Sequence, residues 1–157
     1  GSTKPTTTTT SGLTYLEGKT VDVVRDDLAL DQKTVSSGAI TTDIVPTTYV
    51  EVGIPYTPQI VTLPIETRLP NGNVQGFLKR ITEVNLILNL TQNIKVDTEE
   101  VSFRNLEALS LGTGIEFFTG IKTIQPLSGF TEESTLTITQ TKPLFFTLLG
   151  IEYKVSV

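Results

Sequence analysis

Between Ile81 and Thr91 the chain reads ITEVNLILNLT, and its apolar side chains recur at every second residue. Val84, Leu86, Leu88 and Leu90 alternate with Glu83, Asn85, Ile87 and Asn89. A helix would space its apolar positions three and four apart, so this period specifies a strand with one buried face. A strand of that length must find partners, and shorter segments of the same character surround it. Thr20 to Arg25 reads TVDVVR, Tyr49 to Ile54 reads YVEVGI, and Leu136 to Thr139 reads LTIT. Phe117 to Ile124 carries strand character across Gly120. In the closing stretch, Leu144 to Val157, alternation sets Ile151, Tyr153, Val155 and Val157 inward, with Gly150 marking a bulge.

Turn residues separate these segments. The Asp26-Asp27 pair and Asp31-Gln32 bracket a turn region around Leu28-Ala29-Leu30, and Ser36-Ser37-Gly38 divides Lys33–Val35 from a strand over 39–45. Pro46, Pro55, Pro58, Pro64 and Pro70 confine their neighbourhood to edge strands and loops. Asn71-Gly72 sits in a hairpin loop because Asn-Gly tolerates positive φ. A short strand is expected at Val101-Ser102-Phe103, followed by a loop ending at Gly112-Thr113-Gly114. No amphipathic helix emerges. The expected fold is all-β, an antiparallel sandwich or partly open barrel of about nine or ten short strands.

Organisation follows from composition. The first twelve residues, GSTKPTTTTTSG, have almost nothing to bury and read as a Thr-rich linker headed by a Gly1-Ser2 cloning remnant. Residues 13–157 then form a single all-β domain. The linker and the lack of Met lead to the expectation that the chain is a C-terminal fragment of a larger protein.

Much chemistry is excluded by missing reagents. The chain has no His and no Cys, which removes Ser-His-Asp and Cys-His nucleophiles, zinc clusters and disulfides. A net charge of −5 with scattered Lys and Arg speaks against nucleic-acid recognition, and no run is apolar enough to span a bilayer. Asp26-Asp27, Glu99-Glu100 and Glu132-Glu133 are sequence neighbours. On a strand such neighbours point to opposite faces and cannot flank one bond, so they read as solvated loop charge rather than a calcium site. Gly112-Thr113-Gly114 lacks the following helix that would hold a phosphate. Asn89-Leu90-Thr91 matches a glycosylation triplet by chance, inside the best strand. Phe117-Phe118 and Phe145-Phe146 read as core. Trp is absent, yet a carbohydrate-binding β-sandwich module remains an alternative reading. No enzyme activity and no cofactor are expected.

Three ordered segments carry a resemblance. The first is Tyr15-Leu16-Glu17-Gly18-Lys19-Thr20-Val21 with its acidic turn; the second is Val52-Gly53-Ile54-Pro55-Tyr56 leading to Leu63-Pro64-Ile65-Glu66. The third is Gln75-Gly76-Phe77-Leu78-Lys79-Arg80-Ile81, and Gln140-Thr141-Lys142-Pro143-Leu144 precedes the closing strand. Together they resemble the C-terminal β region of tail tubular proteins of the nozzle type from short-tailed bacteriophages. One departure is Thr139 to Lys142, TQTK, where that family often carries Arg-Gln-Asp. The resemblance implies a structural virion component of the tail, assembled in the bacterial host cytoplasm. Its partners would be other tail subunits in a homo-oligomeric, hexameric ring, with the tail adaptor and fibres, and DNA passing without sequence recognition. It also implies structural roles for Tyr15, Leu16, Glu17, Gly18, Lys19, Gly53, Pro55, Tyr56, Leu63, Pro64, Glu66, Gly76, Lys79 and Arg80.

Overall fold

The structure, a computed structural model, describes residues 8–43, 45, 48–65, 68–69, 72–73, 77–103, 114–125 and 129–156. It is all-β and antiparallel, with a single 3-10 turn among the described residues, at Thr14–Leu16. None of its sheets closes into a barrel. The chain gathers into two compact units, each with its own apolar core.

The first unit takes the described residues up to Tyr56, with 114–116 and 142–144. Its strands are β1 (Thr9–Ser11), β2 (Thr20–Arg25), β3 (Leu28–Thr34), β4 (Ala39–Thr41) and β5 (Val50–Gly53). They form a three-stranded sheet ordered β3-β2-β5 and a β1-β4 pair. The expected linker is therefore corrected at its end: Thr9 to Ser11 pair in register with Thr41 to Ala39. Threonine's β-branch suits an extended backbone, so a polar Thr tract can be a strand when another strand supplies its hydrogen bonds. Leu28-Ala29-Leu30 is likewise strand, not turn. The reversal needs only Asp26 and Asp27, whose φ of 46° and 62° match the two-residue loop that joins twisted strands. A second such loop, Ser37-Gly38 at φ 55° and 67°, links Ser36 to Ala39. Leu13, Leu16, Val21, Val23, Val35 and Ile40 are buried together. Val50 and Val52 of β5 pack partly against them, whereas Ile54, expected on the same face, lies beyond the strand and is exposed.

The second unit takes 57–103, 117–141 and 145–156. Its strands are β6 (Gln59–Val61), β7 (Arg68–Leu69), β8 (Gly72–Asn73), β9 (Arg80–Thr91), β10 (Lys95–Val96), β11 (Glu99–Glu100), β12 (Phe118–Ile124), β13 (Thr137–Thr139) and β14 (Leu148–Ser156). One sheet is ordered β12-β9-β14 and the other β11-β10-β13-β6, with β7-β8 a separate hairpin. Ile81, Val84, Leu86 and Leu88 from the first sheet and Val96 and Ile138 from the second share one core. That is sandwich packing. Arg68–Leu69 pairs antiparallel with Gly72–Asn73, so Gly72, expected in the hairpin loop, lies in a strand, while Pro70 and Asn71 lie outside the described residues.

The central strand shows where simple alternation fails. Its buried residues are 81, 84, 86, 88 and 91, so period two holds only in the middle. Opposite β14 the register shifts between Lys154 and Val155, and opposite β12 it shifts between Phe118 and Gly120. Each shift leaves an extra residue on β9 and rephases its faces. Leu90, expected inside, is consequently 52% exposed at φ 47°, and Thr91 takes the inward place. Tyr153 is a second correction. It pairs with Val84 and so shares the core side, but β14 is an edge strand and the ring is left 43% exposed. The strand expected at Val101–Phe103 is instead the two-residue β11, although Val101 and Phe103 do pack on the core.

Candidate functional site

The residues singled out in the sequence serve mainly as local fastenings. Tyr15 lies exposed on the 3-10 turn, while Leu16 enters the core of the first unit. The Glu17 carboxylate accepts hydrogen bonds from the amides of Ser37 (2.9 Å) and Gly38 (2.7 Å), tying down the second tight turn. Gly18, at φ 73°, donates its N–H to the Val35 carbonyl, and Val35 N–H donates to the Lys19 carbonyl. Glycine is needed there because the left-handed region costs other residues a clash with their own Cβ. Thus Tyr15 to Lys19 form one device. Gly53 ends β5, and Pro55, Tyr56, Leu63 and Pro64 are exposed. Lys79 is buried, and its N–H and C=O exchange 2.9 Å bonds with Thr131. Beside it the Arg80 guanidinium stands 5.2 Å from the centroid of the Phe130 ring. Glu66 and Gly76 lie outside the described residues, as do Gly112-Thr113 and Val157.

The second unit holds an open cavity of about 940 Å³. Its floor is Ile81, Val96 and Ile124, and its walls carry Asp97, Glu99, Glu133, Thr123, Gln125 and Ser134. Such a wall offers hydrogen-bond acceptors and hydroxyls, the chemistry that suits a polyol. Ser134 Oγ donates its proton to the Lys79 carbonyl at 2.7 Å, and no aromatic ring is among the lining residues. Asp97 holds its own turn: its N–H meets Thr137 O at 2.7 Å and its carboxylate accepts Thr137 N–H at 2.9 Å. Among the described residues no three acidic side chains converge as a metal would require.

The carboxylate pairs also prove occupied or apart. Asp26 Oδ1 accepts from Thr48 N–H (2.8 Å) and Tyr49 N–H (3.1 Å). Tyr49 Oη donates to Asp27 Oδ1 at 2.6 Å. Desolvation of that phenol, reinforced by the Asp27 carboxylate, pushes its pKa up to about 12, so it stays a proton donor at neutral pH. Glu99 and Glu100 are successive residues of β11, and Glu100 accepts from Asn93 Nδ2 at 2.9 Å.

Sequence reasoning missed a buried polar corner at Thr91-Gln92-Asn93. Gln92 N–H donates to Phe145 O at 2.9 Å, and Thr91 Oγ both donates to Thr147 O and accepts from Thr147 N–H at 3.1 Å. Asn93 Oδ1 accepts from Thr141 N–H at 3.0 Å. These side chains supply the hydrogen bonds that the neighbouring irregular chain cannot obtain from a ladder. Thr91 is fully buried, so the glycosylation triplet has no accessible hydroxyl.

Of the two Phe pairs expected in the core, only Phe118 and Phe146 pack there. Phe117 and Phe145 are exposed and meet edge to face, with centroids 5.4 Å apart and planes at 63°. Two rings so crossed stabilise one another but do not form a flat platform for a sugar. Further large apolar side chains face solvent on the same unit, Ile121 and Leu149 among them. No helix among the described residues is long and apolar enough to cross a membrane. No protein-family model matches the sequence, and no curated protein matches it.

Proposed function

We propose that the chain is a structural, non-enzymatic β module of a nozzle-type tail protein in a short-tailed bacteriophage, working through contacts between tail subunits. The observation that carries the contact-making part is the set of large apolar side chains left on the surface. Phe117, Phe145, Ile121, Leu149 and Leu63 are all exposed on the second unit. Where such side chains adjoin, as the Phe117 and Phe145 rings do, exposed apolar area favours burial against a partner. The tail identity is supported by the ordered segments from Tyr15 to Arg80. The partners in this reading are other copies of the protein in a ring, the adaptor and the fibres, and the location is the virion tail. The experiment is to sequence the genes that flank the parent reading frame. They are expected to encode head-to-tail components, and a position elsewhere overturns the tail identity.

A second reading, a carbohydrate-binding module, is favoured by one observation, the cavity walled by Asp97, Glu99, Glu133 and hydroxyl side chains. It expects signal on a glycan array that falls on Glu133→Gln. A flat array removes it.

A further inference from the structure

Sheet edges present unpaired N–H and C=O groups, and folded proteins shield them with charge, bulges or brevity. The second unit shields three of its four sandwich edges with charge or bulges. The edge strand β11 is only Glu99-Glu100. On β12, Lys122 pairs with Leu86 and so points to the core side, where its ammonium sits 5.3 Å from the Phe118 ring centroid. On β14 the register breaks twice, and Lys154 bonds Glu83 at 2.5 Å.

The fourth edge, β6, is also brief, three residues between Pro58 and Pro64, but it carries no charge and its pairing with β13 shows no register shift. From Thr57 to Ile65 the sequence is TPQIVTLPI, without a charge. Thr62 N–H donates to Leu136 O, and Val61 lies opposite Thr137. The alternation of an antiparallel ladder then turns the N–H and C=O groups of Gln59 and Val61 away from β13, toward open solvent. Ile60 shows the consequence. It pairs with buried Ile138 on the core side, yet it is 42% exposed, and among the described residues no strand lies beyond it.

We infer that β6 pairs with β6 of a second copy of this chain, antiparallel and centred on Val61. The segment is matched to itself in that register. Val61 meets Val61, Gln59 meets Leu63, and the residues whose polar backbone groups face outward meet one another. Pro58 falls opposite Pro64, at positions where an outward donor is not required, so neither proline disturbs the ladder. The partner's Thr62 would cover the exposed side of Ile60. Charge points the same way: two chains of net charge −5 repel generally, and an uncharged strip is where close approach costs little. An isologous contact of this kind joins the two four-stranded sheets into one of eight. It stands independently of the tail reading, since it concerns only this strand.

The test uses the whole chain, which has no native cysteine. Single Val61→Cys and Gln59→Cys variants are oxidised and examined under non-reducing conditions, alongside sedimentation of the unaltered chain over a concentration series. A Val61 pair is about 5.5 Å apart between Cα atoms, within reach of a disulfide, whereas the two Gln59 residues are about 14 Å apart. The expected result is a concentration-dependent dimer that V61C locks covalently and Q59C does not. Val61→Lys, on the solvent face, is expected to leave the circular dichroism unchanged and to abolish the dimer. A chain that stays monomeric, a dimer unaffected by V61K, or crosslinking of Q59C in preference to V61C overturns the inference.

Discussion

The Tyr49 phenol donates a 2.6 Å hydrogen bond to the Asp27 carboxylate, and Asp27's own N–H donates one of 3.1 Å back to the same oxygen. The ring is thereby clamped onto a loop whose two residues both have positive φ. Asp-Asp is a poorer choice for such a loop than Asn-Gly, and the Tyr49 and Asp26 bonds offset the strain. Tyr49→Phe should lower stability by about 1–2 kcal/mol, the usual cost of losing a hydrogen bond that leaves its partner exposed to partial burial. Urea unfolding followed by circular dichroism measures it.

The same phenol predicts a pH dependence. Its pKa is raised from 10.0 to about 12, so the protonated form is favoured by folding. The corresponding stability is fully present below pH 10 and is lost as pH rises through about 12. Other tyrosines and lysines titrate in this range as well. The informative quantity is the stability of the wild type minus that of Tyr49→Phe, which should shrink between those two pH values and stay level below them.

Glu17 should behave as a fastening for the loop at Ser37 and Gly38. Its two carboxylate oxygens each accept one backbone N–H, at 2.9 and 2.7 Å. Glu17→Ala removes both and should cost about 1–2 kcal/mol. Glu17→Gln retains one acceptor oxygen and should fall between. Equal unfolding midpoints for all three proteins would show that the loop holds without it.

Legibility in the sequence followed burial on both sides of a strand register. The segments TVDVVR and VEVG and the centre of β9 were readable because a buried face forces alternation that no other element mimics. Leu90 was misplaced because a bulge changes phase without changing composition, and no residue type announces it. Phe117 and Phe145 differ from that reading because hydrophobicity does not tell an inward aromatic from an exposed one. The Thr91-Gln92-Asn93 corner reads as a loop in sequence, since its burial depends on chain fifty residues away; the Thr91 Oγ bond to Thr147 O spans 56 positions. Motif residues were found by order rather than by convergence. Tyr15 to Lys19 form one turn, but Lys79 and Arg80 belong to the other unit.

Leu88 and Leu90 test that bulge directly. Alternation assigns both to one face, whereas the structure buries Leu88 and exposes Leu90 at φ 47°. Leu88→Ala removes buried methyl groups from the sandwich core and should cost about 2–5 kcal/mol. Leu90→Ala should be nearly neutral, because little packing is lost. Leu90→Asn should be neutral or stabilising by up to about 1 kcal/mol, since asparagine tolerates the left-handed region that strains a leucine. If β9 ran without a bulge, Leu90 would lie under the sheet and its replacement by Asn would place an amide in the core. The cost would then match or exceed that of Leu88→Ala. Chemical denaturation of the three variants separates the two arrangements by the sign and size of the Leu90→Asn effect alone.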